Sequence, residues 1–195
     1  MLKFHILTID DKDFILSLTI IVKPYEYVKE TFSKNFKENI FSLSFSPSGE
    51  EIMVNEGYRD LRIYNRKTEE KIFSKDFEEG IEYPTFSPSG EEIMVNEGYS
   101  GLRIYNRKTE EEIFSKDFEE VIEYPTFSPS GEEIMVKKGY RGLRIYNRKT
   151  EEEIFSKDFE KSIYHPTFSP SGKEIIVREG FGGLRIYKII GKKRK

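Results

Sequence analysis

The chain has 195 residues, a formal net charge of -3, and no Cys or Trp. This length suits one domain of ordinary size or two small ones, and the missing Cys excludes disulfides, thiolate metal sites and cysteine nucleophiles. With only His5 and His165, little material is present for a histidine metal site or a catalytic triad. The small net charge provides no overall positive field, so no nucleic-acid partner is expected.

The first apolar run, residues 14–22, follows three aspartates, Asp10, Asp11 and Asp13. A secretory signal begins with basic residues and ends at a cleavage site, and a transmembrane helix needs about 20 apolar residues. Neither description fits this run. A cytoplasmic protein with no membrane partner is therefore predicted.

A repeat of 41 residues is the strongest pattern in the sequence. The string Phe-Ser-Pro-Ser-Gly begins at Phe45, Phe86, Phe127 and Phe168. Such a period is typical of propeller blades and of helical HEAT or armadillo units. Local residue chemistry therefore has to decide between strands and helices.

Within one copy we predict four strands, named a to d, at about residues 81–86, 92–96, 102–106 and 112–116. Pro88 and Gly90 stand where a type I turn prefers them, which ends strand a. The apolar run Ile93-Met94-Val95 fits a strand that is buried on both faces. Strands this short, interrupted by Gly and Pro, exclude a helix pair.

Radial stacking of four-stranded sheets buries both faces of each sheet. The sequence therefore predicts an all-β fold: a β-propeller of four-stranded antiparallel blades, about five per chain, in a single domain over residues 1–195. A diverged first blade is expected because Phe32-Ser33-Lys34-Asn35-Phe36 matches residues 73–77 one period later. The predicted blades are residues 1–36, 40–77, 81–118, 122–159 and 163–188, followed by a basic tail, residues 189–195.

The last predicted blade lacks strand d after Tyr187. A propeller has to close, because an open end exposes an apolar sheet face and an unpaired strand edge. The missing strand is expected from residues 3–9, from Ile189-Ile190 or from a second chain. Closure as a monomer and a homo-oligomer that completes the ring are both compatible with the sequence.

The repeat resembles the WD-repeat and TolB-like β-propellers. Residues 84–93, PTFSPSGEEI, resemble their P-x-F/W-S-P-D-G-K-x-I signature, and residues 102–106, LRIYN, stand at their I-x-V/L-W/Y-D strand. The resemblance covers residues 40–188 and recurs four times, in degenerate copies without the Trp-Asp and Gly-His dipeptides. Since these families are mostly interaction modules, it implies a rigid platform for protein partners.

The copies at residues 86–126 and 127–167 differ at seven of 41 positions. The differing pairs are Asn96/Lys137, Glu97/Lys138, Ser100/Arg141, Glu120/Lys161, Val121/Ser162, Glu123/Tyr164 and Tyr124/His165. All are expected on one face, formed by the b–c loops and the d–a loops with the start of strand a. Separate tuning of each blade toward an asymmetric partner explains this pattern, and neutral drift after duplication is the alternative.

The candidate partner-binding residues lie on this b–c/d–a face and include Tyr and Arg, which are common interface anchors. They are Tyr58, Arg59, Tyr99, Lys137, Lys138, Tyr140, Arg141, Tyr164, His165, Arg178 and Phe181. The basic residues of the later copies suit an acidic patch on a partner. Packing against the neighbouring blade is the alternative role for the aromatic side chains.

Three functions fit the sequence. The first is a non-enzymatic platform for protein–protein interaction through the b–c/d–a face. The second is a lectin-like propeller with one glycan site per blade. The third is a repeat-amplified ring that needs a second chain for closure and has no dedicated ligand site. No catalytic residue, metal ligand or cofactor is predicted, since the sequence contains no G-x-S-x-G, P-loop or G-x-G-x-x-G string.

Overall fold

The chain divides into two compact units, Met1–Lys34 and Asn35–Lys195. The computed structural model describes residues 2–9, 12–20 and 30–189. In the first unit, β1 (Leu2–Ile9) pairs antiparallel with β2 (Lys12–Ile20). Part of the predicted diverged blade, residues 10, 11 and 21–29, lies outside the described residues, as do residues 190–195 of the predicted basic tail.

The second unit contains four antiparallel sheets, each a meander of strands that follow one another in the chain. Sheet I contains β3 (Ile40–Phe45), β4 (Glu51–Glu56), β5 (Asp60–Asn65) and β6 (Lys71–Asp76). Sheet II contains β7 (Ile81–Phe86), β8 (Glu92–Glu97), β9 (Gly101–Asn106) and β10 (Glu112–Asp117). Sheet III contains β11 (Ile122–Phe127), β12 (Glu133–Lys138), β13 (Gly142–Asn147) and β14 (Glu153–Asp158). Within residues 30–189, sheet IV has three strands, β15 (Ile163–Phe168), β16 (Glu174–Glu179) and β17 (Gly183–Lys188).

The prediction of an all-β fold built from repeated antiparallel sheets is confirmed. The four strands predicted in residues 81–116 begin and end within one residue of β7 to β10. Within the described residues no helix is long and apolar enough to cross a membrane. The count of five blades and the closed ring stay predictions.

The Ser-Pro-Ser-Gly turn forms for the reason that the sequence indicates. The Gly90 amide donates a hydrogen bond to the Ser87 carbonyl at 2.9 Å, and Gly90 has a φ of 77°, which a residue with a Cβ rarely adopts. The Ser87 hydroxyl accepts a hydrogen bond from the Glu92 amide at 3.2 Å. The turn therefore satisfies its own polar groups while it joins strand a to strand b.

The hydrophobic core consists of layers between consecutive sheets. Because side chains alternate along a strand, Ile93 and Val95 pack toward sheet I, whereas Met94 packs toward sheet III. The predicted burial of this apolar run on both faces of sheet II is therefore confirmed. Each layer depends on two sheets, so the unit is stabilised mainly by contacts between repeats.

Candidate partner-binding face

Backbone hydrogen bonds join the b–c and d–a loops at one end of the sheets. The Ile81 amide donates to the Tyr58 carbonyl at 2.8 Å, and the Phe77 amide donates to the Arg59 carbonyl at 3.0 Å. The Gly98 amide donates to the Gly80 carbonyl at 2.9 Å, which connects the same d–a loop to the next b–c loop. Each d–a loop thus bridges two sheets, and the loops together form the b–c/d–a face.

Four aromatic side chains project from the b–c loops of this face. The exposed fractions of their surfaces are 71% for Tyr58, 65% for Tyr99, 81% for Tyr140 and 103% for Phe181. These side chains are therefore not packed into the layers between sheets. The Tyr58 ring contacts the Phe41 ring, with 4.4 Å between centroids, so this part of the face has a paired aromatic surface.

A cavity recurs in each sheet between the b–c loop and the d–a loop that enters that sheet. The four cavities have volumes of about 350 to 620 Å³. Tyr58 lines the cavity of sheet I, Tyr140 that of sheet III and Phe181 that of sheet IV. The cavity of sheet II is lined instead by charged residues that include Glu79, Glu97 and Arg103. The cavities are thus equivalent in position and different in chemistry.

The predicted basic residues of the face have different environments. The side chain of Lys137 is only 4% exposed and forms an ion pair with Glu123. Lys138 forms a weaker pair with Glu120 at 3.4 Å. Arg59, Arg141 and Arg178 are exposed, and Arg178 also stacks over the Tyr164 ring at 4.2 Å from its centroid. Lys137 is therefore inaccessible to a partner, whereas these three arginines are accessible cations.

A column of three rings connects the first strands of sheets II, III and IV. The centroids of Tyr83 and Tyr124 are 5.1 Å apart, and those of Tyr124 and His165 are 4.8 Å apart. All three residues have a positive φ, between 49° and 53°, next to a bulge in strand a. Residues other than glycine rarely adopt this backbone conformation unless the surrounding structure holds it. Sequence reasoning selected His165 and Tyr164 but missed the column, because nothing in the residue pattern signals the left-handed backbone.

One pair of differences between sheets III and IV falls on two residues that face each other in the same sheet. The residues at strand positions 123 and 137 are direct cross-strand partners, and so are those at 164 and 178. The first pair is Glu–Lys, an ion pair, and the second is Tyr–Arg, a cation–π contact. Part of the variation on this face therefore preserves contacts inside each sheet.

Glu97, which is replaced by Lys138 in the next copy, lies among charges of both signs. Burial raises the pKa of Glu97, Arg103, which pairs with it at 3.7 Å, lowers it, Glu112 and Glu79 raise it, and Lys75 lowers it. At the equivalent position of sheet III, Lys138 pairs with Glu120 at 3.4 Å. The later copy thus replaces the repulsion between Glu97 and Glu79 by an attraction between Lys138 and Glu120.

The opposite end of the sheets shows why the a–b and c–d turns do not differ between copies. Arg107 of sheet II pairs with Glu51 of sheet I at 2.8 Å, and Arg148 of sheet III pairs with Glu92 of sheet II at 2.9 Å. Each guanidinium also lies over the phenylalanine that begins the Phe-Ser-Pro-Ser-Gly turn. These contacts between sheets require both turn sequences, so the constancy of this end has a structural cause.

Buried phenols predict a loss of stability at high pH. Burial, followed by Glu123, Glu82 and Tyr124, raises the pKa of Tyr83 to about 12, and burial with Glu153 raises that of Tyr146 to about 12. The folded state therefore keeps these protons when the unfolded chain, with a phenol pKa of about 10, has lost them. The stabilisation is complete below pH 10 and is lost as pH rises toward 12.

We expect the free energy of unfolding to fall between pH 10 and 12, and to fall less steeply in a Tyr83→Phe, Tyr146→Phe variant. Denaturant titrations at a series of pH values measure this slope. Between pH 7 and 9 the Tyr83 and Tyr146 phenols are largely protonated in the folded and the unfolded chain, so the two proteins should show the same pH dependence there, which is the internal control. Equal slopes of the two proteins above pH 10 would contradict the prediction.

No protein-family model matches the chain, and no curated protein matches it. Among residues 30–189, no group of three or more His, Cys, Asp or Glu side chains has an arrangement that could hold a metal ion.

Proposed function

We propose that the sheets are blades of a β-propeller and that the protein is a non-enzymatic platform for protein–protein interaction through the b–c/d–a face. The face-to-face layers between consecutive sheets support the propeller architecture, since radial stacking is the usual way to bury both faces of such sheets. The hydrogen bonds between the b–c and d–a loops support a rigid binding surface.

The exposed aromatic side chains of the b–c loops are the observation that carries this proposal. Tyr58, Tyr99, Tyr140 and Phe181 leave most of their apolar surface in water at regular positions on one end of the unit. Exposed apolar groups that recur on one surface mark interaction sites, and Tyr is among the residues that contribute most to binding energy. Arg59 and Arg141 add exposed guanidinium groups beside two of these rings.

The variation between copies contributes less to the proposal than the exposed rings do. Part of it compensates within a sheet, as Glu123 with Lys137 and Tyr164 with Arg178 illustrate. The acidic partner surface that the sequence indicated now depends on Arg59, Arg141 and Arg178, because Lys137 is buried and paired. We therefore propose a partner that offers shallow apolar pockets with carboxylates beside them.

A scan of the four rings tests the proposal. The variants Tyr58→Ser, Tyr99→Ser, Tyr140→Ser and Phe181→Ser are each immobilised, and the proteins that they retain from a lysate are quantified by mass spectrometry against the wild type. We expect one of these variants, or two that alter neighbouring rings, to retain about tenfold less of a specific protein than the wild type. Such a loss corresponds to a contact that contributes more than about 1.4 kcal/mol to the binding free energy.

The matched control for this scan is Lys149→Ser, an exposed position in the c–d turn at the opposite end of sheet III. It should retain the wild-type partner. If no protein is retained specifically, or if the control loses as much binding as the ring variants, the interaction function is wrong.

The recurring cavities favour a second candidate, a glycan-binding propeller with one site per blade. Each cavity has room for a small sugar, and an exposed ring lines three of the four. A glycan array followed by titration calorimetry separates the two candidates. For a repeated glycan site, substitution of Tyr58, Tyr140 or Phe181 removes one site and leaves the affinity of the other sites unchanged. Silence across the array would remove this candidate and leave the first untouched.

A further inference from the structure

The same two apolar faces meet at every junction between consecutive sheets. The forward face of a sheet, as in Met53, Leu61 and Ile63 of sheet I, covers the back face of the next sheet. That back face is formed in sheet II by Ile81, Phe86, Ile93, Val95 and Tyr105. The corresponding residues repeat the contact between sheets II and III and between sheets III and IV.

At the two ends of the stack, one face of each kind is exposed. On the forward face of sheet IV, Ile176, Leu184 and Ile186 are 37%, 62% and 61% exposed, whereas their equivalents in sheets II and III are buried. On the back face of sheet I, Ile40 and Phe45 are 44% and 61% exposed. The two end faces of the unit Asn35–Lys195 therefore do not cover each other.

Part of the back face of sheet I already has its junction geometry. The Phe36 ring meets the Tyr64 ring edge-on at 5.8 Å, as Phe77 meets Tyr105 at 5.7 Å at the junction of sheets I and II. Tyr64 and Val54 are buried, so the open part of the face is the side of strand a that carries Ile40 and Phe45. This part requires the forward face of another sheet.

We propose that a second copy of the chain supplies this cover, with the forward face of sheet IV of one copy on the back face of sheet I of the other. The three internal junctions are the template for this contact, since they join the same residue types in the same positions. The contact is heterologous, because two different surfaces meet. It is independent of the b–c/d–a face and of any partner that this face binds.

Two copies close the assembly when each uses both of its end faces. Each copy contributes four sheets to the stack. Propellers typically have about 4 to 8 blades, so two copies provide as many sheets as such a ring ordinarily contains. The number of copies rests on the proposed propeller architecture, whereas the face-to-face contact does not.

The test compares solution masses by light scattering for the full chain and for variants that alter one end face each. The wild type is expected at twice the chain mass of 23.0 kDa. Ile186→Asp on the forward face and Phe45→Asp on the back face should each give monomers, since a carboxylate in the contact has no partner. Both positions are largely exposed within the chain, so circular dichroism should show that both variants fold.

An equimolar mixture of the two variants distinguishes the heterologous contact from other dimers. The Phe45→Asp variant keeps an intact forward face and the Ile186→Asp variant keeps an intact back face. A dimer with one copy of each variant should therefore form through a single contact. It should dissociate at a higher protein concentration than the wild-type dimer does. Ile113→Asp, which places a carboxylate at an exposed position of β10 away from both end faces, should keep the wild-type mass. A monomeric wild type, or a mixture that stays monomeric, would overturn the proposal. Either result leaves ligand binding by the b–c/d–a face open to its own test.

Discussion

Ile104→Ala is expected to lower the free energy of unfolding by about 2–5 kcal/mol, as truncation of a fully buried Ile does. Ile104 lies in β9 and has no exposed surface, since it packs in the layer between sheets II and III with Met94, Phe114 and Ile134. Both sheets are held by neighbours on their other faces, so the layer cannot collapse to fill the space. The loss is measured by equilibrium denaturant titration.

The control for this substitution is Ile113→Ala in the same sheet. Ile113 belongs to the outer strand β10 and is exposed, so its truncation should change the free energy of unfolding by about 0.5 kcal/mol or less. Similar losses for the two variants would mean that sheets II and III do not share a packed layer. That result would remove the structural basis of both the propeller and the second-copy contact.

The strands and turns of the second unit are predictable from the sequence because local chemistry specifies them. Pro88 and Gly90 fix one turn, and the run Ile93-Met94-Val95 requires burial on both sides of a sheet. The repeat then transfers each assignment to the other copies. The number of blades in a closed ring is different, since it depends on how the end faces are covered, and no local pattern encodes that.

The candidate site was only partly predictable, because the b–c/d–a face contains both side chains that project into solvent and side chains that are paired inside a sheet. Tyr140 and Phe181 were candidates either for partner binding or for packing against the neighbouring blade, and they are exposed, whereas Lys137, chosen for its charge, is buried. Its partner Glu123 is 14 residues away along the chain and lies directly opposite it on the neighbouring strand β11. Only the register of β11 and β12 reveals that the charge is neutralised, and the sequence does not state this register.

The same register explains how the copies diverged without losing stability. In sheet II the buried Asn96 amide donates to the Tyr99 carbonyl at 3.3 Å and to the Ile122 carbonyl of sheet III at 2.7 Å. In sheet III, Lys137 replaces this amide, and its ammonium group uses Glu123 instead. The polar group at this buried strand b position is thus satisfied in sheet II by a hydrogen bond to sheet III and in sheet III by an ion pair within the sheet.

Glu123→Gln should therefore lower the free energy of unfolding by about 3 kcal/mol, the low end of the range for breaking a buried ion pair. The buried Lys137 ammonium would lose its counter-charge and keep only a neutral amide oxygen and the rings of Tyr124, Tyr140 and Tyr164, whose centroids lie 5.7 to 6.0 Å away. The loss is at the low end because the Glu123 side chain is partly exposed. Thermal and denaturant unfolding at pH 7 measure it.

Two further variants show whether the ion pair is the cause. Glu82→Gln, at the same repeat position of sheet II, faces Asn96 and should change stability by about 0.5 kcal/mol or less, as surface substitutions usually do. Lys137→Asn combined with Glu123→Gln gives sheet III the amide that sheet II uses, so this double variant should be more stable than Glu123→Gln alone. Such non-additivity is the signature of two residues in contact. If the double variant loses the sum of the effects of Glu123→Gln alone and Lys137→Asn alone, the two residues act independently and the divergence of the copies is not compensatory at this pair of positions.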